Sequence, residues 1–87
     1  MSEAQITDNH DEIRHWAEAR KGRPARVKGA LDGGILRIDF GEAEPNLEPI
    51  SWDEFFRIFD HNKLLFLRQD KTADGSLSRF NKFVGRP

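Results

Sequence analysis

The sequence predicts an α+β fold in the order α-β-β-α-β-β, with two helices packed on one face of a four-stranded, mainly antiparallel sheet. Three observations predict it. Asn9 with Glu12, and Ser51 with Glu54, stand at the spacing of a helix capping box. Asp32-Gly33-Gly34 and Asp74-Gly75 are turn signals between apolar runs. The apolar positions alternate between a helical and a strand period. The chain has 87 residues, short of the ~100–150 of a typical domain, so a single small core is expected. Residues 1–8 are expected to form a flexible N-terminus and residues 9–87 a single small α+β domain.

The first helix is expected over Asn9–Lys21. Asn9 caps it, and Ile13, Trp16, Ala17 and the stem of Arg20 recur at the helical period. Asp11 and Glu12 fall in its first turn and Arg20 and Lys21 in its last, as the macrodipole favours. Gly22 and then Pro24 stop it. Pro24–Gly29 alternates, with Ala25 and Val27 on one side and Arg26 and Lys28 on the solvent side. Ile35–Phe40 is the second strand, with Leu36, Ile38 and Phe40 inward. The two strands are expected to pair antiparallel across the Asp32-Gly33-Gly34 turn. Gly41–Pro49 is a loop carrying Glu42, Glu44 and Glu48.

Ser51 opens the second helix, with Ile50 and Phe55 at the two positions of a hydrophobic staple. Trp52, Phe55, Phe56 and Phe59 form a stripe at i, i+3, i+4 and i+7. Asn62 is placed as its left-handed end. Leu64–Leu67 is an unbroken apolar run, the pattern of a central strand. Leu77–Val84 pairs back onto it after the Asp74-Gly75 turn, and residues 80–84 fit either a strand end or one helical turn.

Composition excludes several classes. With no Cys among 87 residues, disulfide scaffolds, thiolate zinc sites and cysteine nucleophiles are excluded. No apolar run approaches the ~18 residues of a membrane span, and no signal-peptide core is present. A cytoplasmic location and no membrane association are expected. Seven Phe and two Trp supply the large apolar side chains that a disordered chain lacks.

The formal net charge of −1 conceals alternating blocks. Residues 20–28 hold five bases and no acid, and residues 29–60 hold eight acids and two bases. Arg20, Lys21, Arg23, Arg26 and Lys28, joined by Arg79 and Lys82, are therefore candidates for an anion- or nucleic-acid-binding strip. Lys21-Gly22-Arg23-Pro24 contains the Gly-Arg-Pro core of a minor-groove hook. The simpler reading is a solvated strand face. Trp52, Phe56 and Phe59 are candidates for a protein-partner surface if the aromatic helix is not wholly covered.

Other chemistry finds little support. His10 and His15 diverge by about 140° around a helix, poor spacing for a shared metal. Ser51 is a cap, and Ser76 and Ser78 flank a turn. No nucleophile elbow or phosphate loop is present. No catalytic residue, no metal site and no cofactor is expected.

Several strings resemble a family of short bacterial proteins. They are Trp16-Ala17-Glu18-Ala19-Arg20 leading into Gly22-Arg23-Pro24-Ala25, and Leu36-Arg37-Ile38-Asp39-Phe40. Ile50-Ser51-Trp52-Asp53-Glu54-Phe55-Phe56, Lys63-Leu64-Leu65-Phe66-Leu67 and Ser78-Arg79-Phe80-Asn81-Lys82 belong with them. The resemblance runs from about Ile13 to Arg86. Lys21 and Arg68 depart from its pattern, which has a small residue and an aromatic there. Members of that family are often labelled "1,4-alpha-glucan branching enzyme". Branching uses a retaining carboxylate pair, ordinarily built on a barrel of ~250 residues. The resemblance therefore implies no branching activity for this chain. Two expectations follow: a non-catalytic interaction module with a protein partner or a second copy, or a nucleic-acid-binding accessory protein using the basic strip.

Overall fold

The computed structural model describes residues 4–30, 35–41 and 44–87. Its elements are β1 (Ala4–Thr7), α1 (His10–Ala19), β2 (Arg23–Val27), β3 (Leu36–Asp39), β4 (Leu47–Pro49), α2 (Trp52–His61), β5 (Leu64–Gln69) and β6 (Asn81–Gly85). The class is α+β, and the expected hairpins are both present. They do not join into one four-stranded sheet. Each instead gains a third strand, giving two antiparallel sheets, β1-β5-β6 and β3-β2-β4.

The two added strands correct the sequence reading. Ala4–Thr7, expected within the flexible residues 1–8, pairs with the free edge of β5, from Ala4 opposite Gln69 to Thr7 opposite Phe66. Leu47–Pro49, expected as loop, pairs with β2. There the Lys28 N–H donates to the Asn46 carbonyl at 2.8 Å, and the Ile50 N–H donates to the Pro24 carbonyl at 3.2 Å. Pro49 has no N–H to contribute, and the end of an edge strand is where that loss costs least. The Asp32-Gly33-Gly34 turn and Glu42 lie outside the described residues.

The helices begin as their caps predict. Asn9 Oδ1 accepts the Glu12 N–H at 2.9 Å, and Ser51 Oγ accepts the Glu54 N–H at 3.0 Å. The reciprocal half of each box goes elsewhere, since Glu12 binds Arg68 and Glu54 binds Arg57. Helix α1 ends in a Schellman pair: Gly22 N–H to Ala17 O at 2.8 Å, and Lys21 N–H to Glu18 O at 3.0 Å. Lys21 takes the left-handed position, with φ 60. Gly22 serves close approach, because a Cβ there would lie 2.6 Å from Ile38 Cγ2. At the end of α2 the left-handed residue is Lys63, φ 52, one position beyond the expected Asn62.

Helix α2 packs against β2, β3 and β5, between the two sheets. Phe55 and Phe59 are fully buried on it, and Phe66 of β5 is fully buried opposite. Each such side chain contributes roughly 1.5–3 kcal/mol of burial. Trp16 of α1 lies edge-on to Phe66, with ring centroids 5.4 Å apart, and its Nε1 donates to Gln69 O at 3.1 Å. The last segment is strand: β6 pairs with β5 from Asn81 opposite Arg68 to Gly85 opposite Leu64.

Candidate functional site

Folding draws Arg20 of the basic strip into the interior, while Lys21, Arg23, Lys28, Arg79 and Lys82 stay exposed. Arg20 is 7 % exposed. Its guanidinium donates to three carbonyls: Ser78, Trp16 at 2.9 Å and Asp70 at 2.7 Å. It also lies over the Trp16 ring at 4.3 Å. Burial pulls its pKa down, with the Asp70 carboxylate opposing that shift. Arg20 thus pins the end of α1 to the segment between β5 and β6.

Arg26 is also corrected. The register sets it beside Leu36, while Ala25 stands beside Arg37. Opposed residues share a face in an antiparallel pair. Leu36 and Ile38 are core residues, so Arg26, which is half-buried, shares their side of β2, while Ala25 on the other side is buried as expected. Its Nε lies 3.1 Å from Glu48 Oε1 on the neighbouring strand. Arg23 is on the opposite face, directly across from Asp39. Lys28 is exposed beyond the end of β2. Arg79 is exposed over the Phe40 ring at 5.4 Å, and Lys82 stands on β6 opposite Leu67.

Two hollows flank Arg20. One, of about 300 Å³, is lined by Ala19, Arg20, Lys21, Leu77 and Arg79. Three of these five are cations and none is an acid. Folding therefore brings Lys21 and Arg79 to one hollow from positions 58 residues apart in sequence, and Arg23, Arg26 and Lys82 are not in its lining.

The other hollow, of about 460 Å³, is lined by Glu12, His15, Trp16, Arg20, Arg68 and Asp70. Arg68 is 8 % exposed and donates to Asp70, to Glu12 at 2.7 Å and to Gln5 at 2.9 Å. Burial pulls its pKa down, but the Glu12 hydrogen bond and the Asp70 field outweigh this and leave it raised. The Glu12 carboxyl sits below its usual range, first through a hydrogen bond from the Thr7 hydroxyl and then through Arg68. The two terminal guanidinium nitrogens of Arg68 are thus paired, while its buried Nε has no partner among the described residues. No group of His, Asp and Glu arranged to hold a metal occurs among the described residues.

The expected partner surface on α2 is largely core. Phe59 is fully buried, edge-on to Phe83 of β6 and to His10 of α1. Trp52 and Phe56 are half-buried and stack at 5.4 Å, and Phe56 stacks in turn on His10 at 4.1 Å. The His10 Nε2 lies 3.0 Å from Asp60 Oδ1.

An apolar surface appears instead on the far side of β5. Leu64, Phe66 and Arg68 point to the core, and Leu65, Leu67 and Gln69 point away. Val84 stands opposite Leu65, and Ile6 opposite Leu67. The Gln69 N–H donates to Phe80 O at 3.3 Å, so Phe80 extends the same outer face. Ile6 is 58 % exposed and Phe80 50 %. None of these five apolar residues belongs to the core cluster or packs against it. The unbroken Leu64–Leu67 run carried this signal, but it read only as a strand buried on both faces. Compared with family models, curated proteins and solved structures, the chain matches none of them.

Proposed function

We propose that this chain is a non-catalytic protein-interaction module that docks its partner on the outer face of the β1-β5-β6 sheet. The observation that carries this reading is the side-chain order of β5. An antiparallel sheet with one solvated face ordinarily alternates apolar inward and polar outward. Here the inward face holds the charged Arg68, and the outward face holds Leu65 and Leu67, with Val84, Ile6 and one cation, Lys82, beside them. A strand with the composition of one buried on both sides has a second apolar face outside the core. A contiguous patch of this kind marks an interaction surface. The resemblance to the short bacterial family adds no activity to this reading.

The test is site-specific photocrosslinking in living cells. A crosslinker at Leu67 and another at Val84 should capture the same single adduct, absent when the crosslinker stands at Arg14 on α1. Leu65→Glu should abolish that adduct while the purified variant keeps its melting transition. An adduct of twice the chain's own mass would identify a second copy as the partner. Capture that is equal at all three positions, or none at any of them, would overturn the proposal.

A further inference from the structure

We infer that the hollow between the end of α1 and the Leu77–Arg79 segment receives a carboxylate of a peptide segment of the partner, with an apolar side chain beside it. The inference rests on the interaction-module reading and specifies the partner's chemistry. Its first support is charge. The hollow of about 300 Å³ carries Arg20, Lys21 and Arg79 and no acid in its lining. Arg20 is held rigidly by three carbonyls, which fixes its charge in the wall of the hollow, while Lys21 and Arg79 are the exposed cations that can reach a ligand. A concave cationic surface with low-dielectric walls attracts an anion more strongly than separate surface charges do.

The second support is the backbone of Lys21. It holds a left-handed conformation, φ 60, at a position where glycine is ordinarily preferred. The strain sets a lysine at the rim of the hollow. The third support is the neutralised helix end. A helix C-terminus normally repels anions through its free carbonyls. Here Trp16 O accepts from Arg20 Nη1, Ala17 O from the Gly22 N–H, and Glu18 O from the Lys21 N–H. Three of the four last-turn carbonyls, Trp16 to Ala19, are thereby occupied, and the field at this end belongs to the cations. Finally, Leu77, 53 % exposed, lines the hollow beside the cations. It is an apolar contact next to the charge, so the ligand carries an acid and an apolar group together.

The experiment is selection of a displayed random peptide library on the full chain, with internal peptides and free-C-terminal peptides as separate arms. Enriched sequences should carry Asp or Glu within two positions of a large apolar residue, or a free C-terminal carboxylate after one. Backbone amide shifts from Lys21, Gly22 and Leu77–Phe80 should report the binding of a resynthesised winner. Lys21→Gly relieves the backbone strain and removes the charge, so a folding defect does not confound it. It and Arg79→Gln should each weaken binding roughly ten-fold, the scale of one charge-assisted hydrogen bond. Acidic-to-amide changes in the peptide should do the same. Winners without acids, or binding indifferent to both variants, would overturn the inference. If such winners shifted Leu65, Leu67 and Val84 instead, the interaction-module reading would stand without it. Enrichment of nothing in either arm would overturn the inference, and the crosslinking result would decide the module reading separately.

Discussion

At the end of α1, two adjacent residues exchange the roles that their types suggest. Lysine holds the left-handed position, and the glycine beside it holds an ordinary one in a tight space. Lys21→Gly should therefore raise stability by about 1 kcal/mol, the order of the left-handed cost for an L-residue. Gly22→Ala should lower it by about 1–3 kcal/mol through overpacking against Ile38 and Phe40. Urea titration of both variants checks the opposite signs, and equal effects would remove this account of the helix end. Protonation acts at the same scale. The Glu12 carboxyl is lowered in the fold by Thr7 and Arg68. A depressed carboxylate contributes stability that is complete above its unfolded value and is lost as pH falls through the folded one. The urea midpoint should therefore hold from neutral pH down to the region of 4.5 and fall below it. Glu12→Gln should flatten that acid limb. Glu54 and Asp74, lowered by Arg57 and by Thr72 respectively, leave part of the limb in place.

At the scale of the elements, β5 separates stability from binding by alternate positions. Phe66→Ala on the inner face should cost about 3–5 kcal/mol, the usual range for a buried phenylalanine. Leu67→Thr, one residue on and facing outward, should cost under about 1 kcal/mol and keep strand propensity. Thermal melts of the pair test this assignment of faces, and a comparable loss at Leu67 would mean that the outer face is already covered within the chain. The same strand marks the limit of what the sequence makes legible. Caps, periods and turn residues are local, and they locate both helices, the β2-β3 and β5-β6 pairings and the aromatic core. The third strand of each sheet is not local. Ala4–Thr7 alternates over only four residues, too few to signal a strand, and is ordered by the free edge of β5 and by the grip of Arg68 on Gln5. Leu47–Pro49 is ordered by the free edge of β2. Arg26 deceived the alternation rule because an ion pair with Glu48 makes its half-buried placement tolerable. The candidate site was half legible: Lys21 and Arg79 are named by charge alone, but their meeting depends on Arg20 tying α1 to Ser78 and Asp70.

At the scale of the whole molecule, the distribution of charge decides between the two binding readings. The described residues form a slab of 37 × 33 × 18 Å with a radius of gyration of 12.6 Å. The full chain carries a formal net charge of −1, so there is no general attraction to a polyanion. Nucleic-acid affinity depends on how many cations can reach phosphates at once, and log affinity falls against log salt with a slope of about −0.9 for each phosphate neutralised. A continuous strip from Arg20 to Lys28 would engage roughly four or five phosphates and give a slope near −4. Folding buries Arg20, half-buries Arg26 beside Glu48 and sets Arg23 across from Asp39. Lys21 and Arg79 remain together at one hollow. We therefore expect binding to an A·T-rich duplex to be weak at low salt, with a slope no steeper than about −2. Fluorescence anisotropy between about 50 and 200 mM salt measures it, the range over which multi-phosphate contacts lose most affinity. A slope near −4 would mean that the exposed cations act together on a duplex, and would favour the nucleic-acid reading over the apolar face of β5.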